Sequence, residues 1–253
     1  MNTAAPERIR VGSLPIDVVN FEGALDVIDR LVRAGSGGTV FTPNVDHIVM
    51  AEHDERFRTA YRAASLSLVD GTPVLWASRL LGTPLPVKVS GSDLVLPLME
   101  RAAERGYRVY FLGGAPGVAE LARQKLAESL PSLQIVGIDE SRIDIEKDMS
   151  RPDEIVERIQ HARPDLILVA LGAPKQEIWS YARFDQLKPA VMVGVGASLD
   201  FVAGVQKRAP RWMSGVGLEW TYRLAQEPRR LAARYLLRDP QFFAILLKQM
   251  LGN

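Results

Sequence analysis

Three segments carry side chains whose types and spacing suit them to chemistry. Val69-Asp70-Gly71-Thr72 and Ser90-Gly91-Ser92-Asp93 combine glycine turns with acidic and hydroxyl groups, and Phe111-Leu112-Gly113-Gly114-Ala115-Pro116-Gly117 adds a glycine-rich loop. They fall where the chain reads as the carboxyl edge of a parallel sheet. Open α/β sheets bind ligands in the crevice outside those strand ends, and glycines there let backbone N–H groups approach a phosphate closely. The residues alone therefore predict an enzyme acting on a phosphate-bearing substrate.

Asp70 sits just past a strand end and before Gly71, where a carboxylate can point into a cleft. As a general base it would take a proton from a hydroxyl nucleophile, a role worth about 10²–10⁴ in rate. An Asp-Gly turn that bonds only its own backbone fits the same residues. Thr42 and Asn44 flank Pro43 at another strand end and offer neutral hydrogen-bonding groups, equally suited to a turn and a helix cap. Gly113 and Gly114 open a loop before a helix, as a phosphate cradle would. That loop lacks both the Lys-Ser/Thr ending of a P-loop and the dinucleotide fingerprint spacing. Gly172-Ala173-Pro174-Lys175-Gln176-Glu177 is a second strand-to-helix junction, at which Lys175 and Gln176 present a cation and an amide, or simply a solvated first turn. Two such junctions on one rim favour a nucleotide or sugar-phosphate ligand.

Positioning these groups requires alternating strands and helices. Apolar runs ending at turn residues predict strands over Thr39–Thr42, Leu66–Val69, Arg108–Leu112, Gln134–Ile138, Leu166–Leu171 and Val191–Val195. Helical spacing predicts helices over Asp46–Ala64, Ser92–Arg105, Gly117–Ser129, Pro152–Ala162 and Lys175–Phe184, with Ser92 as an N-cap and Asp93 as a first-turn acid. The charged stretch Asp139–Asp148 reads as a loop beside the site. The pattern is an α/β, Rossmann-like, doubly wound and mostly parallel sheet. After Asp200 it stops. Residues 1–206 are expected to form the core, and residues 207–253 a basic helical appendage with helices over Gly217–Gln226 and Arg229–Leu237 and an apolar patch at Phe242–Leu247.

Composition narrows the class. Of 253 residues, 47% are hydrophobic and 24% charged, which fits a globular protein with ample core and excludes disorder. The absence of cysteine removes disulfides, thiolate metal ligands and thiol nucleophiles. His47, His53 and His161 show no metal-site spacing, so neither a metal nor another cofactor is expected. Met1–Arg10 has no apolar run of a signal peptide, and no stretch approaches the ~20 apolar residues of a spanning helix, so a cytoplasmic protein is expected.

The formal charge of +1 conceals an asymmetry. Arg208, Arg211, Arg223, Arg230 and Arg234 interleave with Trp212, Trp220, Tyr222 and Tyr235 beyond residue 206. Guanidinium groups bind phosphates bidentately and indole and phenol rings suit a membrane interface, while an ordinary amphipathic helix packed on the body fits too. The small net charge argues against an extended nucleic-acid footprint.

In sum these motifs resemble the WecG/TagA/CpsF glycosyltransferases, glycosyltransferase family 26. The matching blocks run in order through Thr42-Pro43-Asn44, Val69-Asp70-Gly71, Val89-Ser90-Gly91-Ser92-Asp93-Leu94, Phe111-Leu112-Gly113-Gly114 and Gly172-Ala173-Pro174-Lys175-Gln176-Glu177. They continue through Gly194-Val195-Gly196-Ala197, Arg208-Ala209-Pro210, and Gly217-Leu218-Glu219-Trp220-Thr221-Tyr222-Arg223-Leu224 with Glu227-Pro228-Arg229-Arg230-Leu231. The resemblance implies a metal-independent, inverting transfer of a sugar from a UDP-sugar to a polyprenyl-diphosphate-linked saccharide. Such enzymes work at the inner face of the bacterial cell membrane, in the synthesis of teichoic-acid linkage units, enterobacterial common antigen, or capsular and exopolysaccharide repeats. It further implies Asp70 as catalytic base, Thr42, Asn44 and Gln176 in the donor site, Asp200 near the nucleotide, and Arg223 and Arg230 in an appendage that completes the site and docks on membrane.

Two positions depart from the family pattern. Lys88 stands where arginine is frequent, reducing a bidentate phosphate contact to a point charge. The appendage's third basic position falls at Ala233 or Arg234. A nucleotide-sugar-binding protein without turnover is the competing expectation, against which the retained Asp70 and basic tail both count. A nucleotide-sugar dehydrogenase or epimerase would need a G-x-G-x-x-G after a strand, which the chain lacks. Self-association into a homo-oligomer is left open by the sequence.

Overall fold

A computed structural model describes residues 6–146, 154–210, 213, 219–226, 228–233, 236 and 238–252; the side chains at 219, 223, 230, 231 and 233 lie outside that description. The chain begins with an antiparallel hairpin, β1 (Arg8–Val11) and β2 (Leu14–Asp17), turning at Gly12. Asp17 ties it to the sheet: its buried carboxylate receives Arg8 Nε at 2.8 Å and the Ser67 N–H at 2.7 Å. α1 (Phe21–Ala34) follows, its first turn capped by Asn20 and its last by Gly35 in the left-handed conformation.

The main sheet has six parallel strands: β3 (Gly38–Phe41), β4 (Leu66–Ser67), β5 (Arg108–Gly113), β6 (Gln134–Asp139), β7 (Leu166–Ala170) and β8 (Val191–Gly194). Their order is β4-β3-β8-β7-β5-β6. The chain winds from β3 outward to β4, then crosses to β5 and β6 before filling the centre, so it is doubly wound as the sequence predicts.

Two-residue alternation sends each strand's side chains to opposite faces. Val40, Phe111, Leu166, Leu168, Val191 and Val193 pack beneath α1, α5 (Gly91–Arg105), α6 (Val118–Ser129) and α9 (Ser198–Val202). Phe41, Tyr110, Leu112, Ile167, Val169 and Met192 pack beneath α2 (Val45–His53), α3 (Glu55–Ala63), α7 (Glu154–Ala162) and α8 (Lys175–Leu187), together with the hairpin.

Several boundaries differ from the periodicity. The helix expected over Asp46–Ala64 is broken at Asp54, whose backbone is extended and whose side chain accepts from Arg56 N and Phe57 N to start α3. The strand over Leu66–Val69 shortens to two residues. The hairpin, α1 and α4 (Thr72–Leu80) are additional elements. The hairpin strands and α4 are short and are held by burial against the sheet, whereas α1 carries regular helical spacing of its buried residues between the Asn20 and Gly35 caps.

The C-terminal region holds α10 (Glu219–Gln226), α11 (Pro228–Ala233) and α12 (Gln241–Met250). The apolar patch at Phe242–Leu247 is thus a helix. Phe242 and Leu246 are buried in the same cluster as Phe41 and Ile48. Gln249 clamps the hairpin turn, accepting from Gly12 N at 2.7 Å and donating to Arg10 O at 2.8 Å. A Cβ on Gly12 would stand 2.8 Å from Ile48 and 3.1 Å from Ile245, which explains the glycine at this close approach. No described helix is long and apolar enough to cross a membrane.

Candidate active site

The carboxyl ends of β4, β3 and β8 meet around the point where the winding reverses. β3 ends in Phe41, whose ring packs edge-on against Tyr61 at 5.3 Å and gives the rim a rigid apolar floor. Thr42 follows, buried. Asn44 caps α2, its Oδ1 accepting from His47 N at 3.3 Å. Asp70 is placed beside this segment because its N–H donates to Pro43 O at 2.9 Å, and Gly71 then turns at φ 99° into α4. A non-glycine residue is strained there, so the turn that projects Asp70 onto the rim needs Gly71.

The Ser90-Gly91-Ser92-Asp93 motif forms the start of α5. Ser90, not Ser92, is the N-cap: its Oγ accepts from Asp93 N at 3.2 Å and donates to Asp93 Oδ2 at 2.6 Å. Val89 N donates to Val69 O at 2.8 Å, joining this helix start to the Asp70 turn. A Cβ on Gly91 would lie 3.3 Å from Ser198 Oγ and 3.5 Å from Thr42 Oγ1, so the glycine lets three elements converge. Lys88 reaches Asp93 at 3.9 Å. Arg208, at the head of the basic segment, also pairs with Asp93 at 3.0 Å, donates to Ser92 O, and stacks 5.8 Å over Phe201.

Gln176 comes from the first turn of α8, yet its buried side chain crosses to the end of β8. Its Oε1 accepts from Gly196 N at 3.0 Å and its Nε2 donates to Glu177 Oε1 at 2.8 Å. Glu177 is fully buried, and the loss of hydration pushes its carboxyl up to about 7, only partly offset by the Gln176 amide. Nearby, the buried Tyr61 hydroxyl shares a 2.8 Å hydrogen bond with His47 Nδ1. Burial first, and then the negative charges of Glu177 and Asp70, hold that phenol well above its ordinary value. Sequence reasoning passed over Glu177, His47 and Tyr61. An acid directly before the apolar Ile178-Trp179 pair was the one signal for the first.

Thr42, Asn44, Asp70, Lys88 and Gln176 therefore share one end of the rim. Gly113 and Gly114 lie three strands from Thr42, about 14 Å at about 4.8 Å per strand. A Cβ on Gly113 would come within 2.8 Å of Ala170 O, so β5 ends in close contact with β7. The start of α6 beyond this loop is held by the protein's own carboxylate: Glu140 accepts from Gly117 N at 2.8 Å and Ala119 N at 3.0 Å. Lys175 turns to Ile143 O at 3.2 Å. Asp200 lies on α9, its carbonyl taking the Val205 and Gln206 N–H groups. The side chains of Arg223 and Arg230, on α10 and α11, and Arg234 as a whole lie outside the described residues. Among the described residues no three His, Asp or Glu side chains gather as a metal site would require.

The model of the glycosyl transferase WecG/TagA/CpsF family matches residues 9–253. The chain belongs to that family. Among its WecG/TagA/CpsF relatives are proteins named N-acetylglucosaminyldiphosphoundecaprenol N-acetyl-beta-D-mannosaminyltransferase. The one from Bacillus spizizenii is 32% identical over 84% of this chain and 79% of its own length. Its counterpart in Staphylococcus aureus strain MW2 is 31% identical over 76% and 73%. That of Bacillus subtilis is 27% identical over 94% and 91%. The motifs at Asp70, at Ser90–Asp93 and at Gln176 that the WecG/TagA/CpsF resemblance rests on are those that the fold brings to one edge.

Proposed function

We propose that this family member is an inverting, metal-independent glycosyltransferase that moves a hexose-type sugar from a UDP-sugar to a polyprenyl-diphosphate-linked saccharide in cell-envelope polysaccharide synthesis. The observation that carries the reading is Asp70, held by its backbone against Pro43 on the rim shared with Thr42, Asn44 and Gln176. Asp70 takes the proton of the acceptor hydroxyl. The freed oxygen attacks the anomeric carbon from the face opposite the nucleotide, and the carbon–oxygen bond to UDP breaks with inversion. Thr42, Asn44 and Gln176 line the donor, and Asp200 lies towards the nucleotide. Lys88, Lys175 and Arg223, Arg230 and Arg234 of the tail meet diphosphate charge, so that no divalent cation is required; the Gly113-Gly114 backbone takes no part, because the Gly114 N–H is already donated to Ala170 O at 3.0 Å.

The names of the relatives favour N-acetylmannosamine as the sugar, with N-acetylmannosaminuronyl and glucosyl transfer as the other members of the class. The enzyme works as a peripheral protein on the inner face of the bacterial membrane. Support comes from the exposed apolar row Phe243, Leu247 and Met250 of α12, continued by Leu251 just past its end, and from the exposed Trp220 of α10. The deciding experiment incubates the protein with a panel of UDP-sugars and a lipid-diphosphate-linked N-acetylglucosamine. UDP release and product extension are expected with one donor. No transfer from any of the donors to that acceptor would overturn the reading.

A further inference from the structure

Gln176 is set in the fold more tightly than a donor-lining amide on a first helical turn needs to be. A backbone N–H can only donate, so the Gly196 N–H fixes Oε1 as the atom facing the β8 turn. Nε2 must then face the opposite way, where Glu177 Oε1 receives it at 2.8 Å. The space for the carboxamide is made by a missing side chain: a Cβ on Gly194 would lie 3.1 Å from Gln176 Nε2 and 3.2 Å from the Phe41 ring. Beyond these two bonds the carboxamide retains one N–H and one lone pair for a ligand. Glu177 is fully buried, its Oε2 without a hydrogen-bond partner, so it occupies an unfavourable place for a carboxyl that served packing alone.

We propose that Glu177 is a positioning residue for the sugar-nucleotide cleft, holding the Gln176 carboxamide in the single orientation that serves the nucleotide. The inference rests on the donor-site reading of Gln176. Loss of Glu177 leaves Nε2 without its acceptor in a dry environment, and the amide rotates away from Gly196. Glutamine at 177 keeps a carbonyl oxygen of the same reach, so it preserves the contact.

The test is a double-mutant cycle read by UDP titration, with donor KM and kcat measured on the same samples and thermal melting as a folding control. E177L is expected to weaken UDP binding about tenfold, the scale of one lost hydrogen bond, while E177Q stays within about threefold of wild type. Q176A is expected to match E177L, and the double variant Q176A/E177L to be no worse than Q176A. Additive losses, an E177Q as impaired as E177L, or an E177L that binds UDP like wild type would each overturn the inference. If E177L does not fold, a structure of the wild type with UDP decides: the Gln176 amide must touch the nucleotide while bonded to Glu177, and a nucleotide beyond its reach refutes the role. A wild type that neither binds UDP nor transfers sugar would refute the donor-site reading and this inference together. A wild type that does both, with independent effects at 176 and 177, refutes this inference alone.

Discussion

Replacing Glu177 by glutamine is expected to alter how stability depends on pH, by an amount that follows from its burial. The folded carboxyl is raised from 4.5 to about 7 by desolvation. Between those values the folded state holds a proton that the unfolded chain has released, so stability falls as pH rises through this window. The contribution is fully favourable below about pH 4.5 and fully lost above about pH 7. A rise of about 2.5 in pKa at about 1.4 kcal/mol each amounts to about 3–4 kcal/mol. Glutamine carries no charge at any of these pH values, so E177Q lacks the loss. The measurement is urea unfolding of both proteins from pH 4.5 to pH 8, taking the difference at each pH so that all other titrations cancel. E177Q should gain on wild type by about 3–4 kcal/mol across the range. A difference that stays flat would show that Glu177 is hydrated or paired in solution, and the reasoning from its burial would fail.

Other expectations concern the site and the tail. D70N should lower turnover by about 10²–10⁴-fold while leaving the UDP dissociation constant within a few-fold, because the amide cannot take the acceptor's proton; unchanged turnover would remove Asp70 from the role of base. Transfer should persist in EDTA, and complete loss restored by magnesium or manganese would refute the metal-independent reading. F242A should cost about 3–5 kcal/mol in denaturant unfolding, since the ring is buried where α12 meets α2. The double variant F243S/L247S, changing only exposed positions of α12, should reduce sedimentation with anionic liposomes at unchanged stability. Equal sedimentation of the two proteins would mean that α12 does not meet the bilayer.

The alternation of apolar runs and helical segments was enough to determine the sheet, its parallel sense and the rim on which Asp70, Thr42 and the two strand-to-helix junctions stand. A β-strand exposes residues at a period of two, and Val109–Leu112 or Leu166–Val169, apolar on both faces, belong only in a sheet covered by helices on both sides. Local turn chemistry was equally legible at Gly71, whose positive φ marks a bend whatever surrounds it, while the need for Gly91 shows only where Ser198 and Thr42 close on it. Tertiary structure alone decided which candidate groups are already engaged. Glu140, distant in sequence, fills the start of α6, and Asp93 holds both Lys88 and Arg208. Burial likewise has no one-dimensional signature. Glu177 and Lys175 are two residues apart on one helix, but Glu177 faces a dry interior that raises its proton affinity, while Lys175 reaches a loop carbonyl at the rim. The apolar run near the C-terminus could have been part of a free appendage. That α12 instead closes the hairpin against α2 rests on the burial of Phe242 and Leu246 and on the hydrogen bonds of Gln249 with Arg10 and Gly12, contacts between distant parts of the chain that only folding brings within reach.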